Sequence, residues 1–190
     1  MSTKEYYSNI DECAENKTDQ LIPNGLAEHA VYLMSKMFSN AIEHVRLFTG
    51  ELTDAITRNV KDGTPQTVPV YTEPKLIEAA RNFLKREGSI LDILVQDDSG
   101  NIALRGFVQI IQKMKAEGEV IGTVNIRKAN PEIMSLKNHF MVMDDMGYRL
   151  ETEHKNTKAV ANFGDKEFSC SLAKVFDNVL FKNGTPLLII

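Results

Sequence analysis

Lys137-Asn138-His139-Phe140-Met141-Val142-Met143-Asp144 is the stretch on which the fold turns, together with Ala159-Val160-Ala161-Asn162-Phe163 downstream. The apolar run Phe140 to Met143 predicts a buried strand, and Tyr148 to Glu151 and Lys158 to Phe163 predict two more. A helix from about Asp165 to Phe181 follows, with Phe168, Leu172, Val175, Phe176 and Val179 expected in its apolar stripe. Within the first strand, residues 137 and 139 share a face because side chains alternate.

Upstream of this stretch the order of elements is different. Leu26 to Ile42 has helical spacing, with Leu26, Ala30, Leu33, Met34, Met37 and Ile42 near one face and Asn24 as the expected cap. His44 to Gly50 is a short strand, and Thr72-Glu73-Pro74 opens a helix that Gly88 stops. Ser89 to Val95, Ile102 to Ala116 and Glu119 to Ile126 add a strand, a helix and a strand, with Asp97 to Asn101 as a turn and Gly118 as a break. Strands alternating with helices require crossover connections and pair in parallel, whereas the later strands follow one another as hairpins. The expected class is therefore α/β, a mixed β-sheet flanked by helices on both faces.

The 190 residues, 43% of them hydrophobic, suffice for one core and favour a single domain spanning residues 25–184. Residues 1–24 are expected as a polar arm without fixed structure, and residues 185–190, Thr-Pro-Leu-Leu-Ile-Ile, as an apolar tail that adds to a sheet edge or lies across the domain. A formal charge of −4 gives no global attraction to nucleic acid or an anionic membrane. No apolar run marks a leader or a span, so a cytoplasmic protein without membrane contact is expected. Cys13 and Cys170 stand far apart and outside any metal-ligand spacing, which makes them free thiols. No metal site and no cofactor are expected. The turn at residues 97–101 lacks calcium-loop spacing, His29 and His44 are expected to cap or pack, and His154 lies in a charged hairpin tip.

With these elements in order, the opening segment resembles the H-x-K-x4-D motif of the phospholipase D-like superfamily, which a short hairpin joins to G-S-x-N. Lys137 stands at the family's His position, His139 at its Lys position, Asp144 at its Asp position and Asn162 at its Asn position. The likeness extends over roughly residues 45–181 and implies a phospholipase D-like sandwich. Two features depart from the pattern: Lys137 and His139 are exchanged, and Ala159 and Val160 replace the Gly and Ser.

In that superfamily one His attacks phosphorus, a second His from another motif copy protonates the leaving group, and Lys and Asn hold the phosphate oxygens. The exchange moves the imidazole by roughly 6 to 7 Å along the strand, whereas misplacement of about 1 Å already costs such catalysis heavily. Lys137 is no nucleophile at neutral pH unless its pKa is strongly depressed. The resemblance thus implies a degenerate, single-motif member. Its catalytic candidates are His139, Lys137, Asp144 and Asn162, and Lys137, His139 and Asn162 are its phosphate-binding set.

One motif copy per chain implies a two-fold homodimer with the motifs facing across the interface. The expected function is a homodimeric binding or assembly module for a phosphate-bearing ligand or a protein partner, with nucleic acid left open. A divergent phosphodiesterase or nuclease using His139 is the alternative. Thr49-Gly50-Glu51 and Gln96-Asp97 follow two strands at the end where open α/β sheets place ligands. Glu51, Asp54 and Asp97 are expected to make that end less welcoming to phosphate.

Overall fold

The chain's computed structural model describes residues 2–59, 65–96, 101–136, 138–153 and 158–190. The elements are α1 (Thr3–Asn16), β1 (Ile22–Asn24), α2 (Ala27–Asn40), β2 (His44–Thr49), β3 (Ala55–Asn59), β4 (Pro65–Pro69), α3 (Pro74–Leu84) and β5 (Ile90–Val95). They continue with α4 (Gly106–Ala116), β6 (Thr123–Lys128), β7 (Phe140–Met143), β8 (Gly147–Glu153), β9 (Lys158–Asn162), α5 (Lys166–Val175) and β10 (Thr185–Ile189). Eight strands form one mixed sheet in the order β1-β9-β8-β7-β2-β5-β6-β10, and β3 and β4 pair separately as a hairpin.

The pairing follows from the connections. β2, β5 and β6 run parallel because α3 and α4 carry the chain back over one face, and β7, β8 and β9 pair antiparallel. α1 to α4 pack on that face over Val45, Leu47, Ile93, Val124, Met141 and other apolar residues. The opposite face buries Phe48, Leu94, Phe140, Val142 and Tyr148 beneath Ala173, Phe176 and Leu180. Helices on both sides make this the α/β sandwich expected from the order of elements. Gly88 and Gly118, with φ of +78° and +75°, take the left-handed turns that follow α3 and α4.

Several local expectations are corrected. The polar N-terminus is not a loose arm. A capping box between Ser2 and Glu5 starts α1, which buries Tyr6, Ile10, Cys13 and Ala14 at helical spacing, and β1 pairs with β9 at the sheet edge. The C-terminal residues also join the sheet, as β10 antiparallel to β6. The cap position of α2 is Leu26, because the Asn24 side chain is turned to the Leu26 carbonyl and to Arg149. β6 starts at Thr123, later than expected, since Ile121 and Gly122 donate their amides to the Leu84 carbonyl at the end of α3.

The helix expected from Ile102 opens instead with a short 3-10 turn over residues 102–104, and α4 begins at Gly106. The last helix faces the sheet with a different stripe. Ser169, Ala173, Phe176 and Leu180 are buried, whereas Phe168, Val175 and Val179 are 39%, 44% and 54% exposed. Small residues at 169 and 173 leave room for the Phe140 and Tyr148 rings beneath, and residues 176–181 continue as a π-helix.

Candidate functional site

A cavity of about 310 Å³ opens where α2 passes over the carboxyl end of β2. Its polar lining includes Thr49, Glu51, Thr53, Tyr71, His139, Arg149 and Glu151. Leu26, Ala27, Met34 and Val70 supply the apolar wall. The place is set by topology: β2 and β5 end here in parallel, and β7 and β8 bring their own ends alongside.

His139, just ahead of β7, lies across the end of β2. Its Nδ1 is 3.1 Å from Glu151 Oε2 and its Nε2 is 2.7 Å from Gln96 Oε1. The Gln96 amide orientation is fixed by its Nε2, which donates to the backbone carbonyls of Ile133 and Leu136. Both imidazole nitrogens therefore face acceptors, an arrangement in which an imidazolium fills both bonds and a neutral ring one. The ring meets Phe48 edge-on at 5.6 Å, and a Cβ at Gly50 would stand 3.0 Å from its Cε1. Glycine at position 50 is what lets the imidazole settle over the strand end.

Glu151 links His139 to Arg149, whose Nη1 lies 3.2 Å from Glu151 Oε1. Arg149 is only 7% exposed, and its Nε donates to Asn24 Oδ1 at 2.9 Å. Burial alone would raise the Glu151 pKa. The His139 hydrogen bond and the Arg149 charge outweigh it and hold the carboxyl below the ordinary 4.5. Burial pushes the Tyr71 hydroxyl up to about 12, so it stays a phenol and donates to Thr49 Oγ1 at 3.2 Å. At the rim Glu51 pairs with Arg105 at 2.8 Å, and Asp54 accepts the Gly106 amide. The acids expected to repel phosphate are thus already engaged; Asp97 lies outside the described residues.

The motif residues are not gathered in one place. His139 lines the cavity, and Lys137 lies outside the described residues. Asp144 is five residues from His139, about 17 Å at the usual strand rise. There its Oδ1 accepts the amides of Glu43 and His44 and its Oδ2 that of Ile42, so it clasps the start of β2. Asn162 is opposite Tyr148, whereas Ala159 is opposite Glu151. Three residues of β9 separate the two positions, so the Asn162 side chain leaves the other face of the sheet. Its Oδ1 accepts from Gly164 and Asp165 and its Nδ2 donates to Asp19, a turn-fixing role.

The residues beside His139 that the motif did not indicate are Gln96, Arg149, Glu151, Tyr71 and Asn24. One signal pointed toward them: Gln96 directly follows a strand at the ligand end of the sheet. Elsewhere, His29 stacks on Tyr6 at 4.0 Å between ring centroids and His44 pairs with Asp92 at 2.9 Å, packing roles as expected. Among the described residues no group of three or more His, Cys, Asp or Glu side chains could hold a metal ion, and no helix is long and apolar enough to cross a membrane.

Fold and cavity together define a mixed α/β sandwich with a small-molecule-sized site at the carboxyl end of its parallel strands. No family model matches the chain, and its sequence matches no curated protein at a significant level. Solved structures do resemble it. TrmBL2, an archaeal chromatin protein whose structure shows a novel mode of DNA binding, superposes with a TM-score of 0.55 at 12% identity over 96% of this chain. The match spans 60% of the TrmBL2 chain. NucT from Helicobacter pylori superposes with a TM-score of 0.54 at 12% identity over 89% of this chain and 99% of its own. At such identity the likeness is one of fold.

Proposed function

We propose that this chain is a degenerate phospholipase D-like domain that binds its ligand without cleaving it and works as a homodimeric binding or assembly module. The observation that carries the reading is the state of His139. Nucleophilic attack needs an imidazole nitrogen with a free lone pair directed at phosphorus, and both ring nitrogens face protein acceptors, Glu151 and Gln96. The ancestry itself is read from the register of Lys137, His139, Asp144 and Asn162 and from the mixed sandwich that carries them. The other motif positions support lost hydrolysis: Asp144 and Asn162 hold backbone, so neither is available to a phosphate at His139.

The dimer reading draws on the same end of the sheet. Leu26, Leu104, Met134 and Leu136 are all at least 45% exposed. Leu26 lines the cavity, Leu104 precedes the Arg105 that pairs with Glu51, and the carbonyl of Leu136 holds Gln96. An apolar rim around a shared site is the surface an isologous pair would bury. The ligand is a phosphate-bearing molecule or a group on a protein partner, and TrmBL2 makes nucleic acid a class to include in its search.

A second reading is a divergent phosphodiesterase or nuclease. One contact favours it: a carboxylate on Nδ1 is how a general-base histidine is oriented. Assays against single-stranded DNA, RNA and bis-(p-nitrophenyl) phosphate separate the two. The module reading expects no turnover above buffer with or without divalent metal; turnover lost in His139→Ala establishes the enzyme. Light scattering expects a dimer at micromolar concentration, and a clean monomer removes that part of the proposal.

A further inference from the structure

The cavity beside His139 has a more specific chemistry than a general phosphate site, and Arg149 supplies it. Its Nε and Nη1 are engaged by Asn24 and Glu151, while Nη2 has no hydrogen-bond partner among the described residues. Since Arg149 lines the cavity and is more than nine-tenths buried, that end of the guanidinium is offered to whatever enters. A buried, desolvated guanidinium is a strong oxyanion receptor.

The charge count limits what that oxyanion is. The Glu151 carboxylate lies against Arg149, and Glu51 at the rim pairs with Arg105. With a carboxylate already beside the guanidinium, a monoanion suits a desolvated site here better than a dianion. Leu26, Ala27, Ala30, Met34 and Val70 give the wall an apolar side. A volume of about 310 Å³ lies at the small end of ligand pockets and far below what a folded nucleic acid needs.

We infer that the His139–Arg149 cavity binds a small amphipathic monoanion, a carboxylate or phosphodiester group held by Arg149 with its aliphatic body against Leu26, Met34 and Val70. The inference rests on the non-hydrolytic reading of the same site and deepens it. It also explains why two charged residues of β8 are turned inward where a strand otherwise buries apolar groups.

The test is titration of the full chain with hexanoate, dibutyl phosphate and inorganic phosphate, followed by calorimetry and ligand-observed NMR. Hexanoate alone, dibutyl phosphate alone, or both should bind at millimolar concentration or tighter, and the pattern reports which oxyanion is preferred; inorganic phosphate should not displace them. Arg149→Lys should weaken the bound anion by about tenfold or more, the loss expected for a charge-assisted hydrogen bond. Ala30→Leu, which fills the apolar wall and leaves every polar group in place, should abolish binding while circular dichroism stays unchanged. Absence of binding by both organic anions overturns the inference, as does binding that neither variant alters or equal binding of hexylammonium. Cleavage of a phosphodiester by the wild-type chain would overturn the non-hydrolytic reading and leave the ligand assignment standing.

Discussion

The two ends of β7 use similar residue types for opposite purposes. At one end Asp144 spends its carboxylate on the amides of Ile42, Glu43 and His44, so that a side chain completes the backbone pairing at the start of β2. At the other end His139, Glu151 and Arg149 bond mainly to one another and face a cavity. A motif that looks like a unit in sequence is therefore two devices in space, one that fixes the strand and one that forms a site. A mutation at the Asp144 end should be felt in folding, and a mutation at the cavity end in binding.

The sharpest way to break this contrast is Asp144→Ala. It strands up to three amides that a charged acceptor held, and the expected loss is about 3 kcal/mol in urea unfolding, with hexanoate affinity of the folded fraction unchanged. A parallel loss of affinity would show that the two ends are coupled. Glu151→Gln should cost less, about 2 kcal/mol after allowing for its partial exposure.

The Glu151 variant has a pH signature as well. The native carboxyl titrates below 4.5, so its contribution is full above that value and disappears as pH falls through the lower folded value. Wild type should therefore lose stability in that acid window, and the Gln variant should lack that part of the decline. Unfolding curves measured across it check the sign.

Asn162→Ala should cost about 1 to 2 kcal/mol through its turn and leave the cavity's affinity alone. Gly50→Ala is the mildest, about 1 kcal/mol, since the new methyl at 3.0 Å from Cε1 must push the His139 ring aside. Its larger effect should be on anion binding. Combining Asp144→Ala with Glu151→Gln provides the strictest comparison: sites this far apart should add within about 0.5 kcal/mol.

How far the sequence could be read depended on what each residue bonds. Strand-helix alternation fixed the parallel centre of the sheet, and the Phe140 to Met143 run located its antiparallel neighbour, because apolar periodicity reports burial directly. α1 escaped notice because Tyr6, Ile10, Cys13 and Ala14 are diluted by charged residues on the exposed face. The buried stripe of the last helix keeps ordinary helical spacing but runs through Ser169 and Ala173, small residues that apolar periodicity does not single out beside Phe168 and Val175.

For the site, Gln96 and Thr49-Gly50-Glu51 were legible from their place after strands, and His139 from its motif. Arg149 and Glu151 were not. A charged pair alternating with Tyr148 and Leu150 normally marks the solvent side of a strand, and only α2 lying over that face makes it an interior. Asn162 shows the reverse difficulty: its register matched the motif, but an odd number of residues along β9 puts it on the other face from Glu151.

The central claim is that His139 no longer acts as a nucleophile, and a single-turnover reaction tests it most directly. Protein in excess over bis-(p-nitrophenyl) phosphate, followed by nitrophenolate absorbance and intact mass, should show no release above buffer and no phosphoryl adduct. Nitrophenolate release accompanied by an adduct on His139, both absent in His139→Ala, would contradict the account.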